Sequence, residues 1–264
     1  MKTLTIFSAA VSLAVLVASS LFLAKVAQAE TKSAESGNVK AEVSLGSRNG
    51  LCWQNPRLRL VRNGQTVFNE DISKKEVGYC WLLDLQVRDL DKDNEPEIIL
   101  DVFSGGAHCC TSSLIYRYNA RTKKYAAIAH RWGNGERYSI EDIGRDGTVE
   151  FVFRDDRFAY KFASFGGSYY PLQIWRYSQG KMTDVTRRYP QAVKNHAVQL
   201  WQKYITTKTQ IEEKGILAAY LADKYSLGEG EDGWRRLREV YRESDRQKFF
   251  SDLRKFLQET GYIR

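Results

Sequence analysis

The feature that most constrains this chain is an internal repetition. RDLDKDNEPEI from Arg88 lies without a gap over EDIGRDGTVEF from Glu141, placing Asp89 on Asp142, Asp93 on Asp146 and Glu97 on Glu150. The apolar neighbours keep register, Leu90 on Ile143 and Ile98 on Phe151, and both copies then run into a glycine pair, Gly105 and Gly106 or Gly166 and Gly167. Beyond the glycines, SSLIYRYNARTKKYAAI and PLQIWRYSQGKMTDV each read as strand, polar turn and strand, with Arg117 and Tyr118 matching Arg176 and Tyr177. One unit is thus about four short strands. A third, partial copy is expected in PRLRLVRNGQTVFNEDI, which alternates, turns at Asn63 and Gly64, and returns without an acidic loop.

After Pro190 the period changes. Ala197, Leu200, Trp201, Tyr204 and Ile205 recur at helical spacing, as do Leu217, Tyr220 and Leu221, then Phe249, Leu253, Phe256 and Leu257. Thr209 with Glu212 and Ser244 with Gln247 have capping-box spacing, and Gly261 stands where the last helix should stop. The expected fold class is α+β: an antiparallel β-repeat region over residues 30–188, then a helical region over 189–264. With 264 residues and 43% hydrophobic content, a packed core is within reach.

The first 29 residues read as an export signal, with an early Lys2, an apolar run from Leu4 to Ala24, and Ala27, Gln28 and Ala29 as an A-x-A cleavage site. The competing reading is an uncleaved anchor, since the run is long enough to span a bilayer. Cleavage removes Lys2 and Lys25 and takes the net charge from +8 to +6. No later segment reaches membrane-spanning length, so the mature product is not expected to be an integral membrane protein. Export also gives the cysteines a meaning. Cys52, Cys80, Cys109 and Cys110 make an even set in an oxidising compartment, which favours disulfides over thiol catalysis. Three pairings are open. A Cys109–Cys110 bridge is one, although adjacent side chains on an extended segment point to opposite faces and suit separate partners.

Asp89, Asp91 and Asp93 alternate in a short loop leading into the strand Ile98, Ile99, Leu100. When such a loop coils, its carboxylates turn toward one point, where a hard cation with a preference for oxygen relieves their repulsion; calcium is the natural candidate. An EF-hand is excluded, because the twelfth position is Leu100 and the sixth is Asn94. The alternative is a metal-free turn, since Asp and Asn accept local backbone hydrogen bonds in any case.

DLDKDNEPE resembles the calcium loop of FG-GAP or VCBS-type repeats, the blades of integrin-like β-propellers, with the pattern D-x-D-x-D-G-x-x-D/E before a strand. That resemblance implies side-chain ligands from Asp89, Asp91 and Asp93, a backbone carbonyl from Glu95 and a closing carboxylate from Glu97. Asn94 replaces the family's Gly, a change that left-handed backbone geometry tolerates. The second copy keeps Asp142, Asp146 and Glu150 but has Gly144 in place of the middle carboxylate, which implies a weak second metal loop at most. The resemblance covers residues 85–186. It implies two to three propeller-blade-like units, too few for the closed propeller of about four to eight blades; a curved open sheet or small sandwich, covered by the N-terminal hairpin and the helical tail, is expected instead.

Other chemistry is thinner. SGGAHCCTSS gathers His108, Cys109 and Cys110 and would suit a thiolate with its base or a soft-metal site, but no C-x-x-C spacing accompanies it. His130 and His196 stand alone and read as structural. No G-x-S-x-G or H-E-x-x-H motif is present, and the carboxylate pairs Asp155 with Asp156 and Asp142 with Glu150 are the candidates left for glycoside hydrolysis. Phe162, Phe165, Tyr169, Tyr170, Trp175 and Tyr177 crowd the second repeat, either as core or as a strip that stacks on sugar rings or a peptide. From Glu231 to Arg264, nine basic side chains are mixed with seven acidic ones, which with export argues against nucleic acid. The sequence therefore points to an exported, non-enzymatic binding or scaffold protein, periplasmic or secreted, with calcium as a structural ion and an envelope glycan or protein as partner. The alternative is an envelope carbohydrate-active hydrolase, or a thiol- or metal-dependent activity at His108, Cys109 and Cys110.

Overall fold

The computed structural model describes residues 30–73, 75, 77–134, 137–206 and 210–264. The expected export signal and Thr209 of the first capping box lie outside the described residues.

The first sheet is built from β1 (Glu30–Ser36), β2 (Val39–Leu45), β5 (Arg57–Arg62) and β6 (Gln65–Asp71), all antiparallel. A two-residue hairpin, β3 (Arg48–Asn49) and β4 (Cys52–Trp53), is inserted between β2 and β5. Period-two alternation decides the buried face: Val39, Ala41, Val43 and Leu45 point inward, as do Leu58 and Leu60. Asn63 and Gly64, both with positive φ, make the tight β5–β6 turn. The β1–β2 hairpin was not expected. Six of the seven β1 residues are polar or charged apart from Ala34, so the strand carries little apolar signal and is held by its ladder to β2.

The two matched segments form equivalent structures. β7 (Trp81–Arg88), β8 (Glu97–Phe103), β9 (Thr111–Asn119) and β10 (Lys124–Gly133) make the second sheet, and β11 (Ser139–Glu141), β12 (Glu150–Arg154), β13 (Leu172–Ser178) and β14 (Lys181–Asp184) the third. In both, strands neighbour in chain order. The second sheet is the middle layer. Ile98, Leu100 and Val102 of β8 pack with Val43, Leu58 and Leu60 of the first sheet, while Ile99 and Ile115 turn the other way onto Phe151 and Tyr177 of the third. This two-sided burial explains why β8 reads as a continuous apolar run. No sheet closes into a barrel among the described residues.

Ile174 of β13 and Val193 join the third sheet to the helices. These are α1 (Pro190–Thr206), α2 (Gln210–Ser226), α3 (Gly230–Val240) and α4 (Arg246–Glu259). Pro190 opens α1 at the one helical position where its missing N–H costs nothing. Gly261, with φ +80°, follows the end of α4, and the Tyr262 N–H closes back on the Leu257 carbonyl at 2.9 Å. The proposed cap at Ser244 is displaced by one residue: Asp245 occupies the N-cap, and its carboxylate is drawn away to Lys214 and Tyr241. Helix α3 lies within the region expected to be helical, although its apolar stripe is reduced to Trp234, Leu237 and Val240 amid charge. No helix among the described residues is long and apolar enough to cross a membrane.

Candidate functional site

The acidic loop links β7 to β8, and its counterpart links β11 to β12. Position by position, the two loops share a backbone. Lys92 and Arg145 both have left-handed φ, as do Asn94 and Gly147. Asp89 Oδ2 accepts the Asn94 N–H at 2.9 Å, as Asp142 Oδ2 accepts that of Gly147 at 2.9 Å. Asp93 Oδ1 accepts the Glu95 N–H and Asp146 Oδ1 that of Thr148. Finally, Glu97 Oε2 accepts the Leu90 N–H at 3.1 Å, as Glu150 Oε2 accepts that of Ile143 at 3.2 Å. The aspartates thus fold the loop by local hydrogen bonds, and the closing glutamate at the head of the next strand ties it off.

The loops diverge in what faces that glutamate. In the second, Arg176 of β13 donates from Nε to Glu150 Oε1 at 2.8 Å, with its Nη2 on the same oxygen. Asp142 Oδ1 takes the Asp146 N–H at 3.0 Å. In the first loop the matching Arg117 turns to other carboxylates instead of Glu97, with Nη2 on Asp93 Oδ2 at 2.5 Å and Nη1 on Asp91 Oδ2 at 3.4 Å. Asp89 Oδ1, Asp91 Oδ1 and Glu97 Oε1 are then buried without a hydrogen-bond partner. Ligand atoms of these three residues lie within 4.8 Å of one another. Glu97 is 0% exposed, and burial, reinforced by the charges of Asp91 and Asp93 against the Leu90 hydrogen bond, pushes its carboxyl up to about 8.

Of the five first-loop candidates, the structure therefore brings together Asp89, Asp91 and Glu97. Asp93 is engaged by Arg117, and the Glu95 carboxylate by Arg62 of β5, whose Nη2 reaches Glu95 Oε2 at 2.6 Å. The second-loop candidates Asp142, Asp146 and Glu150 form no such cluster among the described residues. Asp91 also reaches the third sheet, since its Oδ2 accepts the Gln179 N–H of the β13–β14 turn at 2.7 Å. Lys92 donates to the Asp146 carbonyl at 2.7 Å, so the two loops touch. The buried Tyr177 hydroxyl is without a partner, and burial together with the Glu97 charge pushes its phenol up.

Cys52 is bonded to Cys80, and Cys109 to Cys110, so the adjacent pair does not serve separate partners. With no free cysteine among the described residues, His108 has no neighbouring thiolate to activate. The carboxylate pairs are likewise engaged. Asp155 binds Arg157 and the Tyr262 hydroxyl, and Asp156 accepts the Asn134 N–H at 3.0 Å. His130 lies against Trp132 and Trp175, and burial lowers its imidazole to about 4. The aromatics of the second repeat do not form one strip. Tyr177 is core, Phe162 packs on Phe249 and Phe256 of α4, and Phe165 and Tyr170 line a separate cleft.

One cluster escaped the sequence reading altogether. His196 Nδ1 lies 2.6 Å from Asp223 Oδ2, its Nε2 contacts Arg154, and Asp223 Oδ1 accepts the Leu172 N–H at 3.0 Å. It joins α1 and α2 to β12 and β13. Its contacting pairs are 27, 42 and 51 residues apart in sequence, so no local spacing could have shown it.

The "Probable thylakoid lumen protein sll0997" of Synechocystis sp. (strain ATCC 27184 / PCC 6803 / Kazusa) is 34% identical over 166 residues, covering 61% of this chain and 49% of that protein. The "Uncharacterized protein y4bJ" of Sinorhizobium fredii (strain NBRC 101917 / NGR234) is 30% identical over 218 residues, covering 78% of this chain and 32% of that protein. The chain thus spans half or less of the length of these curated relatives. A solved chain described as "Structure of a Xanthomonas Type IV Secretion System related protein" aligns over 61% of this chain and 96% of its own, with 12% identity and a TM-score of 0.25, a likeness too low to bear on the fold. Residues 193–261, which contain most of α1 and all of α2 to α4, match the family described as the sll0997 C-terminal domain.

Proposed function

We propose that this is an exported, non-enzymatic binding or scaffold protein of the FG-GAP/VCBS repeat type, and that calcium in its first acidic loop fixes the second sheet against the third. The observation that carries this reading is the convergence of Asp89 Oδ1, Asp91 Oδ1 and Glu97 Oε1, all buried and without a partner. Unpaired buried carboxylate oxygens are costly, and a hard divalent cation satisfies them together. Asp91 is also hydrogen-bonded to the β13–β14 turn, so a cation held by Asp91 braces both sheets. The export-type leader, the cysteine bridges and a relative described as a probable thylakoid lumen protein support a compartment across a membrane.

Thermal unfolding with calcium and with chelator tests the site. A cation at a hundred times its dissociation constant stabilises by about 3 kcal/mol, which in a protein of this size raises Tm by about 5–10 °C. The shift should vanish in Asp91→Ala. Equal midpoints for the wild-type protein in calcium and in chelator would overturn the proposal.

A further inference from the structure

A cleft of about 650 Å³ opens at the end of the second sheet, away from the acidic loop, where three separate segments meet. Trp81 of β7 and Phe103 of β8 form one wall, their rings stacked at 5.2 Å and 8°. The Trp81 indole N–H is held by the Leu51 carbonyl, which fixes the ring. His108 and Phe165 form another wall, stacked at 4.2 Å, with Tyr160 meeting both rings at the rim. Tyr160 has φ +60° and yet is 55% exposed, so the fold accepts a disfavoured backbone for a bulky residue without gaining a buried ring. Between the aromatic walls stand Asn134 and Arg137, the latter bound to Asp84 at 3.2 Å while more than half of its side chain is exposed; Ser168 also lines the cleft, its hydroxyl already donating to the Ser164 carbonyl at 2.9 Å and accepting the Tyr160 N–H at 3.0 Å.

We infer that this cleft binds a pyranose ring of a polysaccharide. A sugar ring offers an apolar C–H face and a rim of hydroxyls, and so requires flat aromatic faces interleaved with amide, hydroxyl and guanidinium groups. The volume lies within the range of roughly 300–1,000 Å³ typical of small-molecule sites. The walls are also set before any ligand arrives. Ser104 exchanges two hydrogen bonds with Cys110, Oγ accepting the Cys110 N–H at 2.6 Å and N–H donating to the Cys110 carbonyl at 3.0 Å, and the Cys109–Cys110 bridge closes the same loop that carries His108. Phe165 starts a 3-10 turn, Phe165–Gly167, pressed so closely on α2 that a Cβ on Gly215 would lie 2.4 Å from the Gly167 carbonyl oxygen. Such preorganisation lowers the ordering cost of binding.

This inference rests on the binding reading of the protein but not on the calcium loop. The test is titration of the purified protein with cellotetraose, maltotetraose and chitotetraose, followed by Trp fluorescence and calorimetry. At least one should bind saturably, and Trp81→Ala and Phe165→Ala should each weaken it by about tenfold or more, the cost of losing one stacked aromatic. Failure of all three sugars to bind at millimolar concentration overturns the cleft assignment, as does binding that both aromatic variants preserve. Either failure leaves the calcium response intact, which keeps the two proposals separable.

Discussion

The two acidic loops start from matched sequences, share the same left-handed positions and the same backbone hydrogen bonds, and solve the problem of a buried glutamate in opposite ways. In the second loop Gly144 leaves room and Arg176 supplies a permanent guanidinium to Glu150. In the first, Asp91 occupies the place of Gly144 and Arg117 pairs with Asp93 and Asp91 instead, so Glu97 faces two more carboxylates. One substitution thus separates a self-contained ion pair from a cluster of buried carboxylate oxygens without hydrogen-bond partners. A buried charge must be matched, and the chain can carry the match or take it from solution.

Breaking the built-in partner should have the largest effect. Arg176→Ala strands Glu150, which is 0% exposed, and should cost about 3–5 kcal/mol in urea unfolding. Arg117→Ala, which removes a close pair to the partly exposed Asp93 and a long one of 3.4 Å to Asp91, should cost less, about 1–2 kcal/mol. A similar cost for both variants would mean that the two arginines do equivalent work. Next comes Glu97→Gln. Burial already holds this carboxyl mostly protonated at neutral pH, so replacing it by a neutral amide should leave unfolding in chelator close to wild type, while the calcium gain of about 3 kcal/mol disappears.

Asp101, further along β8, separates burial from metal binding. It is 3% exposed and accepts hydrogen bonds from Ser113 and Tyr138, and burial raises its carboxyl from the ordinary 3.8 to about 6. A carboxyl raised in the folded state contributes stability that is complete below about pH 4 and is lost as pH rises through about 6. Asp101→Asn should flatten that part of the stability profile, a change on the order of 2 kcal/mol, equally with and without calcium. The smallest effect expected is a gain. Gly144 has no positive φ, and a Cβ there would find its nearest neighbours at ordinary contact distance, 3.6 Å from Asp146. Gly144→Asp combined with Arg176→Ser should convert the second loop toward the first, adding a calcium-dependent rise in Tm of a few degrees in a protein already lacking the first site through Asp91→Ala.

Much of the sheet region was legible because its signals are local. Alternation along β5, the Asn63–Gly64 turn, and the aspartates that fold a loop on their own backbone all act within a few residues. Strand β1 was not legible, since polar residues held by a neighbouring strand leave no apolar period to read, and the bounds of α3 within the helical tail were not legible for the same lack of apolar period. Matching Arg117 with Arg176 was a local observation as well, but their different destinations were not, because each depends on which carboxylate lies opposite across the sheet. The cleft was invisible for the same reason: Trp81, His108 and Phe165 belong to three segments that only packing assembles.

By itself the sequence determined the repeated strand unit, the change to helix after Pro190, and the oxygen-rich loop between β7 and β8, because hydrogen bonding and side-chain periodicity over a few residues suffice to specify them. Only the tertiary structure decided that the second sheet lies between two others, that the adjacent cysteines join each other, and that one glutamate is neutralised from within while its twin is not. Those outcomes depend on distances between segments far apart in the chain, and these are set by the burial of shared apolar surface, whose attraction has no direction until the layers are stacked.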